Sequence, residues 1–416
     1  MKNFRNIVAT TAAALLLNSA AAAEPFPIPL WYSLDSQPAQ HLESMIVEFE
    51  ANHSHLDIQP RNFSSPQELY TALEGDERPV FAIVEGAQLP RLDRTTDMTT
   101  VEDWMPREQF LFSWSVKHDV YGALFEGSSV DGRLMARPLF FSTTALIYDL
   151  DMLQSHGVTA APTTWADLDL AAEKLRDVEK NIWGFAFEDE EDVAEGLSLM
   201  YMQGTQAQAD GGEEAHKSVL QFGQDLAQTV GFPEDQGYAA MRTGTVADYL
   251  RLKKEGYPVR TAGVPGPDAQ HRRTDFRVWS LGMFPVESHD LYKAQEFAFW
   301  LTDFNQQRNW AENTDYLSAH VKVFDNPFYR QARSEEHKDL RVFVNLLARA
   351  DMAGGESDVQ LGRMTTLRNV FPKIAKGEID VAEALKMFAA APPAVEDPDL
   401  TGDAAPSSEA GIQSPR

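Results

Sequence analysis

Short apolar runs alternating with an amphipathic helix constrain the fold of this chain most strongly. Ile28-Pro-Leu-Trp-Tyr-Ser33 has the composition of a strand, and four apolar residues from Leu42 to Phe49 then recur at the spacing of one helical face. Leu56-Asp-Ile58 follows as a second strand, and Val80-Phe-Ala-Ile-Val84 is apolar throughout, which is typical of a strand buried on both faces. The pattern predicts an α/β protein in which helices flank mostly parallel sheets.

The beginning of the chain predicts its compartment. Lys2 and Arg5 precede the apolar stretch Ile7–Leu17, and Ala20–Ala23 supplies small residues before an expected cleavage. This is the pattern of a secretory signal peptide over residues 1–23, and its apolar core is too short to span a bilayer. We therefore expect an exported protein, located in the periplasm.

Charge and the absence of cysteine restrict the possible partners. The formal net charge is −27, and removal of the two basic side chains of the signal peptide makes it −29, which disfavours nucleic acid and anionic membranes. The chain has no cysteine, so it can form neither a disulfide nor a thiolate metal site, and it has no cysteine for a lipid anchor. We expect no cofactor and no metal site.

Length and composition predict the organisation of the mature chain. About 390 residues exceed what one hydrophobic core usually organises, so two lobes are expected. Residues 392–416 are rich in Pro, Glu, Asp, Gly and Ser, and this composition predicts a disordered tail. The acidic run Glu188 to Asp192 is expected to be a solvated loop, with Ca²⁺ binding as a minor alternative.

Five segments in a fixed order carry a resemblance to a known family. They are Ile28–Ser33, Pro138–Asp149, the Thr-Trp-Ala-Asp-Leu run of Thr164–Leu168, the block from Trp310 to Leu317 at the end of a helical stretch, and Leu361–Arg368. Together they resemble family 1 of the extracellular solute-binding proteins of ABC importers, and most of all its binders of sn-glycerol 3-phosphate.

The resemblance implies a two-lobed periplasmic binding protein of type II with a hinge made of three segments. The N-terminal lobe would comprise residues 24–143 and 278–316, and the C-terminal lobe residues 144–277 and 317–391. The chain would cross between the lobes near Ser142–Leu146, Phe276–Trp279 and Tyr316–Ser318. A monomer that binds a small molecule and delivers it to membrane permease subunits is expected.

Some of the implied ligand contacts suit hydroxyl groups. By resemblance, Ser142 and Tyr316 fall on a pocket serine and a pocket tyrosine, and Glu85 lies near a pocket glutamate at the end of a strand. A carboxylate accepts hydrogen bonds from ligand hydroxyls, and a serine can donate and accept. Trp279 is the best candidate for stacking on a sugar ring. For Ser142 and Tyr316, backbone capping and helix-end packing are the alternative explanations.

The other implied contacts suit an anion. Arg368 falls on the arginine that pairs with the ligand phosphate in the family, and Arg242 aligns with a pocket serine just before a predicted helix from Thr245. A guanidinium can meet two phosphate oxygens at once, and a helix N-terminus favours negative charge. For either arginine, a surface ion pair is the alternative.

The ligand class stays open between two alternatives. The first is sn-glycerol 3-phosphate or a related glycerophospho-ester, and the second is a sugar or oligosaccharide. Gly184 to Asp192 lacks the tryptophan pair that glycerol-phosphate binders usually carry at this point. An enzyme is disfavoured, because the sequence has neither a Gly-x-Ser-x-Gly nor a His-Glu-x-x-His motif.

Overall fold

The structure is a computed structural model, and its described residues are 24–105, 118–186, 199–200, 203, 213–226, 230–231, 238–352, 366, 370, 373–374 and 377–389. Four features expected from the sequence lie outside them: the signal peptide, the acidic run from Glu188 to Asp192, Arg368 and the tail. Each of these stays a prediction.

The strands follow one another along the chain as β1 (Phe26–Tyr32), β2 (Leu56–Asn62), β3 (Phe81–Glu85), β4 (Ser129–Val130), β5 (Arg133–Leu134), β6 (Ala136–Thr143), β7 (Ala145–Asp149), β8 (Ile182–Trp183), β9 (Phe185–Ala186), β10 (Val230–Gly231), β11 (Tyr238–Ala239), β12 (Met241–Gly244), β13 (Val259–Ala262), β14 (Thr274–Met283), β15 (Leu317–Ser318) and β16 (Ala350–Met352). The helices are α1 (Ser36–Asn52), α2 (Pro66–Leu73), α3 (Leu89–Thr95), α4 (Val101–Trp104), α5 (Gly122–Gly127), α6 (Leu150–Ser155), α7 (Trp165–Leu175), α8 (Glu213–Leu226), α9 (Val246–Lys254), α10 (Leu291–Leu301), α11 (Phe304–Asn313), α12 (Val321–Phe324), α13 (Pro327–Ala332), α14 (His337–Leu346) and α15 (Val381–Ala389).

The larger of the two main sheets is mixed and takes strands from both ends of the chain. Its strand order is β15-β6-β14-β3-β1-β2, and β16 also pairs with β14. The pairs β1–β2, β1–β3 and β14–β16 are parallel, whereas β14–β3, β14–β6 and β15–β6 are antiparallel. The β-α-β unit predicted for the beginning of the chain is confirmed.

Helix α1 covers this sheet with the apolar face predicted from its spacing. Leu42, Met45, Ile46 and Phe49 are all buried in one cluster with residues of β1, β2 and β3. Burial of each such side chain stabilises the fold by about 1.5–3 kcal/mol. The period of the pattern therefore fixes which face of the helix meets the sheet.

A second, smaller sheet has the strand order β12-β7-β13. Both of its pairs are antiparallel, so the expectation of mostly parallel pairing in each lobe is corrected: the first sheet is mixed and this one is antiparallel. The physical reason is that β7 enters the small sheet directly from β6 of the large one, and β14 enters the large sheet after β13 of the small one, so each runs opposite to its neighbours β12, β13 and β3. A local apolar run does not encode that direction.

Helix α7 begins with a capping box. The Asp167 backbone N–H donates to the Thr164 hydroxyl over 3.1 Å, and the Thr164 N–H donates to the Asp167 carboxylate over 3.2 Å. Thr164 is therefore the N-cap of α7, as a threonine three residues before an aspartate at the start of a helix predicts. The spacing of Leu168, Ala171, Leu175 and Val178 predicts one buried stripe, but Val178 is 74% exposed because the helix ends at Leu175.

Three chain segments lie side by side where the two sheets meet. Strand β6 pairs with β14 through Thr143 and Phe276, and β15 pairs with β6 through Leu317 and Phe141. Only Thr144 separates β6 in the large sheet from β7 in the small one. These are the segments expected to connect the lobes.

The sequence from Phe297 to Leu317 predicts one helical stretch, but it contains the end of α10 and the whole of α11. Helix α10 ends at Leu301, and α11 begins after Asp303, whose carboxylate accepts from the Asn305 backbone N–H over 2.9 Å. In α11, Trp310 stacks on Phe140 of β6 with ring centroids 4.6 Å apart. The stretch therefore packs on the large sheet before the chain reaches β15.

Candidate ligand-binding cleft

A cavity of about 290 Å³, called the cleft below, lies between the two sheets. One wall comes from the end of β6 and from β14, and the opposite wall from the beginning of α9. Its lining residues are Asp35, Ser142, Thr143, Thr144, Thr245, Ala247, Asp248, Asp275, Phe276, Arg277, Trp279, Asp315 and Tyr316. The volume suits a small solute.

Aromatic rings form the floor of the cleft. Trp279 and Tyr316 meet edge to face with centroids 4.8 Å apart, and both contact Phe140. Burial raises the pKa of Tyr316, and the nearby carboxylates of Asp35 and Glu85 raise it further. Tyr316 is therefore a neutral hydrogen-bonding group at physiological pH. The floor presents an apolar surface with one phenolic hydroxyl.

Two carboxylates of the cleft, those of Asp35 and Asp315, make no side-chain hydrogen bond with any described residue. Asp35 is the N-cap residue of α1, yet its side chain does not cap the helix. Asp315 lies next to Tyr316, and burial raises its pKa. These groups offer hydrogen-bond acceptors to whatever enters the cleft.

Asp275 is a third carboxylate of the cleft, and it is the one most affected by burial. Within the described part of the chain its Oδ1 atom is buried without a hydrogen-bond partner. Burial raises the pKa of Asp275, while a hydrogen bond with the Thr144 side chain and the positive charge of Arg277 lower it. A buried acceptor without a partner is costly to the free protein, and a ligand donor would relieve this cost.

Arg277 is the basic residue of the cleft lining. Asp275, Arg277 and Trp279 are every second residue of β14. Their side chains therefore lie on the same face of the strand. The sequence predicts a strand from Arg277 to Gly282 with Trp279 as its site residue, and this prediction missed Asp275 and Arg277 as residues of the cleft. The period-two rule, applied from Thr274, is the signal that identifies all three.

The beginning of α9 contributes less positive character than the sequence predicts. The Thr245 backbone N–H and hydroxyl both donate to the Asp248 carboxylate, each over 2.8 Å. This carboxylate already compensates the positive end of the helix. Four aspartates and one arginine line the cleft, so its lining has a formal net charge of −3.

The structure brings together some of the predicted site residues. Ser142, Trp279 and Tyr316 all line the cleft. Glu85 lies just outside the lining, opposite Trp279 in the β3–β14 pair. Arg242 is outside the lining as well, on β12 opposite Ile147. The ligand contacts assigned to these residues, and to Arg368 outside the described residues, stay predictions.

No helix within the described ranges is both long and apolar enough to cross a membrane.

Comparisons with known proteins agree with this architecture. The chain matches the family described as bacterial extracellular solute-binding protein over residues 44–333. It is 24% identical over 263 residues to a probable ABC transporter-binding protein of Deinococcus radiodurans, a match that covers 55% of this chain. The chain spans 61% of the length of that relative.

Solved structures are similar over most of the chain. The sugar-binding protein MalE from Xanthomonas citri has a TM-score of 0.70 at 15% identity, with 88% of this chain and 96% of that chain covered. UgpB from Mycobacterium tuberculosis in complex with glycerophosphocholine has a TM-score of 0.69 at 16% identity, with the same coverage of both chains. These likenesses confirm the predicted fold class, an α/β protein with two lobes. The match over residues 44–333 spans more than half of the chain, and the chain belongs to the bacterial extracellular solute-binding protein family.

Proposed function

We propose that this protein is the solute-binding subunit of an ABC importer, which captures a small solute in the cleft and delivers it to membrane permease subunits. Family membership and the position of the cleft between the two sheets support the proposal. The function needs no chemical step and no cofactor. The proposed location is the periplasm, reached through the signal peptide predicted over residues 1–23.

We propose a neutral, polyhydroxylated solute such as a sugar or a short oligosaccharide. The observation that carries this choice is the set of acceptors around an aromatic floor: the Asp35 and Asp315 carboxylates, which make no side-chain hydrogen bond with a described residue, and the unpartnered Oδ1 atom of Asp275. Carboxylates accept from hydroxyl groups, and the faces of Trp279 and Tyr316 suit the apolar faces of sugar rings. The sugar-binding protein of X. citri has the same fold, which is consistent with this choice.

A glycerophospho-ester, including sn-glycerol 3-phosphate, is the second candidate. Arg277 in the cleft lining favours it, because a guanidinium can bind two phosphate oxygens at once. Arg368 would add a second arginine if its predicted role holds. The four aspartates of the lining oppose a doubly charged phosphate, so this candidate ranks below the sugar.

The proposed mechanism is closure of two lobes around the solute. The lobes would comprise residues 24–143 with 278–316 and residues 144–277 with 317–391, connected by the three adjacent segments near β6, β14 and β15. Hinge motion at a few residues between rigid bodies is a common closing movement. We expect the radius of gyration in small-angle scattering to decrease when the solute binds.

Calorimetric titration distinguishes the two ligand classes. The ligands are maltose and a panel of other neutral saccharides, glycerol 3-phosphate and glycerophosphocholine. We expect saturable binding of a saccharide, weakened about tenfold or more in Asp315→Asn because one charged acceptor is lost. Asp57→Asn, which changes an exposed aspartate of β2, is the matched control and should bind as the wild type does.

The opposite result is equally specific. Saturable binding of a phosphate ester alone, abolished in Arg277→Gln and retained in Asp315→Asn, would contradict the sugar proposal and support the second candidate. Absence of binding to both ligand classes would contradict both.

A further inference from the structure

A second cavity, of about 430 Å³, lies apart from the cleft and shares none of its lining residues. We call it the outer cavity. Its lining includes three basic or imidazole side chains, two carboxylates and two phenylalanines: Arg137, His320, Lys322, Asp119, Asp303, Phe299 and Phe304. Arg137 and Ser142 lie five positions apart on β6, which separates them by about 17 Å along the strand.

Arg137 is the unusual group of the outer cavity. Its guanidinium makes no hydrogen bond or ion pair within 4 Å with any described residue. Burial lowers the pKa of Arg137 to about 10, although the more distant charges of Asp119 and Asp303 act in the opposite direction. The group stays protonated at neutral pH. Arg137 is only partly buried and lines the cavity, so an anion there can reach the guanidinium and accept the charge-assisted hydrogen bonds that no described side chain accepts.

Both carboxylates of the outer cavity already have partners. Asp119 receives the Lys322 ammonium over 2.5 Å, and Asp303 caps helix α11 by accepting from the Asn305 backbone N–H over 2.9 Å. Neither therefore supplies the direct contact that the Arg137 guanidinium lacks. The cavity is therefore not a closed ion-pair network, because its arginine has no carboxylate in direct contact.

His320 adds a neutral donor beside Arg137. Its Nδ1 atom accepts from the Lys322 backbone N–H over 3.3 Å, so the proton of the neutral ring is on Nε2. Burial lowers the pKa of His320, which keeps the ring neutral near physiological pH. An Nε2–H group can donate to an oxyanion without adding a further buried charge.

From this arrangement we propose that the outer cavity binds a small oxyanion, a phosphate or a carboxylate, through the fork of the Arg137 guanidinium with His320 beside it. The fork of a guanidinium matches the paired oxygens of both anion types. Phe299 and Phe304 also line the cavity, and their rings offer an apolar surface to an apolar substituent on the anion. The site is separate from the cleft and does not depend on the solute proposed for it.

The test is calorimetric titration of the full chain with inorganic phosphate and with benzoate, at constant ionic strength set with NaCl. We expect one saturable site for at least one anion, and the pair of titrations tells a phosphate site from a carboxylate site. Binding should weaken at least about tenfold in Arg137→Gln, because the charge-assisted hydrogen bonds are lost.

Two arginine variants serve as controls. Arg133→Gln removes a half-exposed arginine just before β6, which pairs with Asp93 over 2.8 Å, and it should leave anion binding unchanged. Arg277→Gln removes the arginine of the cleft and should also leave it unchanged. If Arg277→Gln abolishes anion binding while Arg137→Gln retains it, the anion binds in the cleft and the proposal fails.

A measurement on the wild type keeps the test decisive if Arg137→Gln does not fold. We expect the imidazole resonances of His320 in ¹H–¹⁵N spectra to shift with added anion and to saturate at the dissociation constant found by calorimetry. Unchanged His320 resonances across the titration, or a heat that never saturates with either anion, would overturn the proposal.

Discussion

The cleft and the outer cavity use charge in opposite ways. In the cleft, the Asp315 carboxylate makes no hydrogen bond with a described residue, the Oδ1 atom of Asp275 has no partner there, and Arg277 is the basic group beside them. In the outer cavity the carboxylates have partners, and Arg137 lacks them within the same part of the chain. The net charge of −27 therefore does not decide what each cavity attracts. The pairing of individual side chains does.

The largest expected difference between the two regions concerns packing. Phe140 behind the cleft is 1% exposed and stacks on Trp310, so Phe140→Ala should lower the free energy of unfolding by about 3–5 kcal/mol. Phe304 at the outer cavity is only partly buried and meets His320 edge to face at 5.4 Å. Phe304→Ala should lower the free energy of unfolding by about 1–2 kcal/mol.

Urea unfolding monitored by circular dichroism measures both losses. Val47→Ala, at a position that is 67% exposed on α1, is the control and should change the free energy of unfolding by less than about 0.5 kcal/mol. Equal losses for the two phenylalanine variants would show that the cleft wall is no more tightly packed than the outer cavity.

A smaller effect concerns the buried carboxylate of the cleft. Because burial raises the pKa of Asp275 in the folded protein, its ionised form destabilises the native state once the pH exceeds the usual carboxyl range. At lower pH both the folded and unfolded states are protonated, so this penalty disappears. Asp275→Asn should therefore stabilise the free protein at pH 7 by about 1 kcal/mol, and the gain should vanish near pH 3.

Melting temperatures of the wild type and the variant between pH 3 and pH 8 check this sign. Asp57→Asn, at an exposed position, should show no such pH-dependent gain. A wild type that is more stable than Asp275→Asn at pH 7 in the absence of solute would mean that Asp275 has a compensating partner.

The smallest expected effect on the free energy of unfolding comes from the exposed ion pair of the outer cavity. Lys322 is 66% exposed and pairs with Asp119, so Lys322→Gln should lower the free energy of unfolding by about 0–1 kcal/mol, and salt should screen the difference. Lys180→Gln is the matched control, because Lys180 pairs with Asp177 over 2.7 Å at a similarly exposed position. A much larger loss for Lys322→Gln would show that Asp119 depends on this lysine.

Local signals made part of the structure predictable from the sequence. The apolar face of α1, the Thr164 cap of α7 and the buried strand β3 each depend on residues within one or two turns or one strand. In each case the side chains that decide the conformation are neighbours in sequence, so spacing alone identifies them.

Other features depend on contacts between distant segments. Whether β14 runs parallel or antiparallel to β3 depends on where the chain crosses between sheets, which no local pattern records. The break between α10 and α11 depends on Asp303 acting as a cap within an otherwise helical stretch. For the cleft, resemblance predicted Ser142, Trp279 and Tyr316 as site residues, whereas Asp275 and Arg277 required the exact beginning of β14.

The single residue between β6 and β7 has a mechanical consequence. A turn of one sheet relative to the other must be absorbed by very few torsion angles here, since each residue contributes only two soft dihedrals. The Thr144 carbonyl also accepts from the Thr274 hydroxyl over 2.5 Å, which ties this connection to the beginning of β14. If the two sheets turn relative to each other, we therefore expect the torsion angles at Thr144 and at the beginning of β14 to change together.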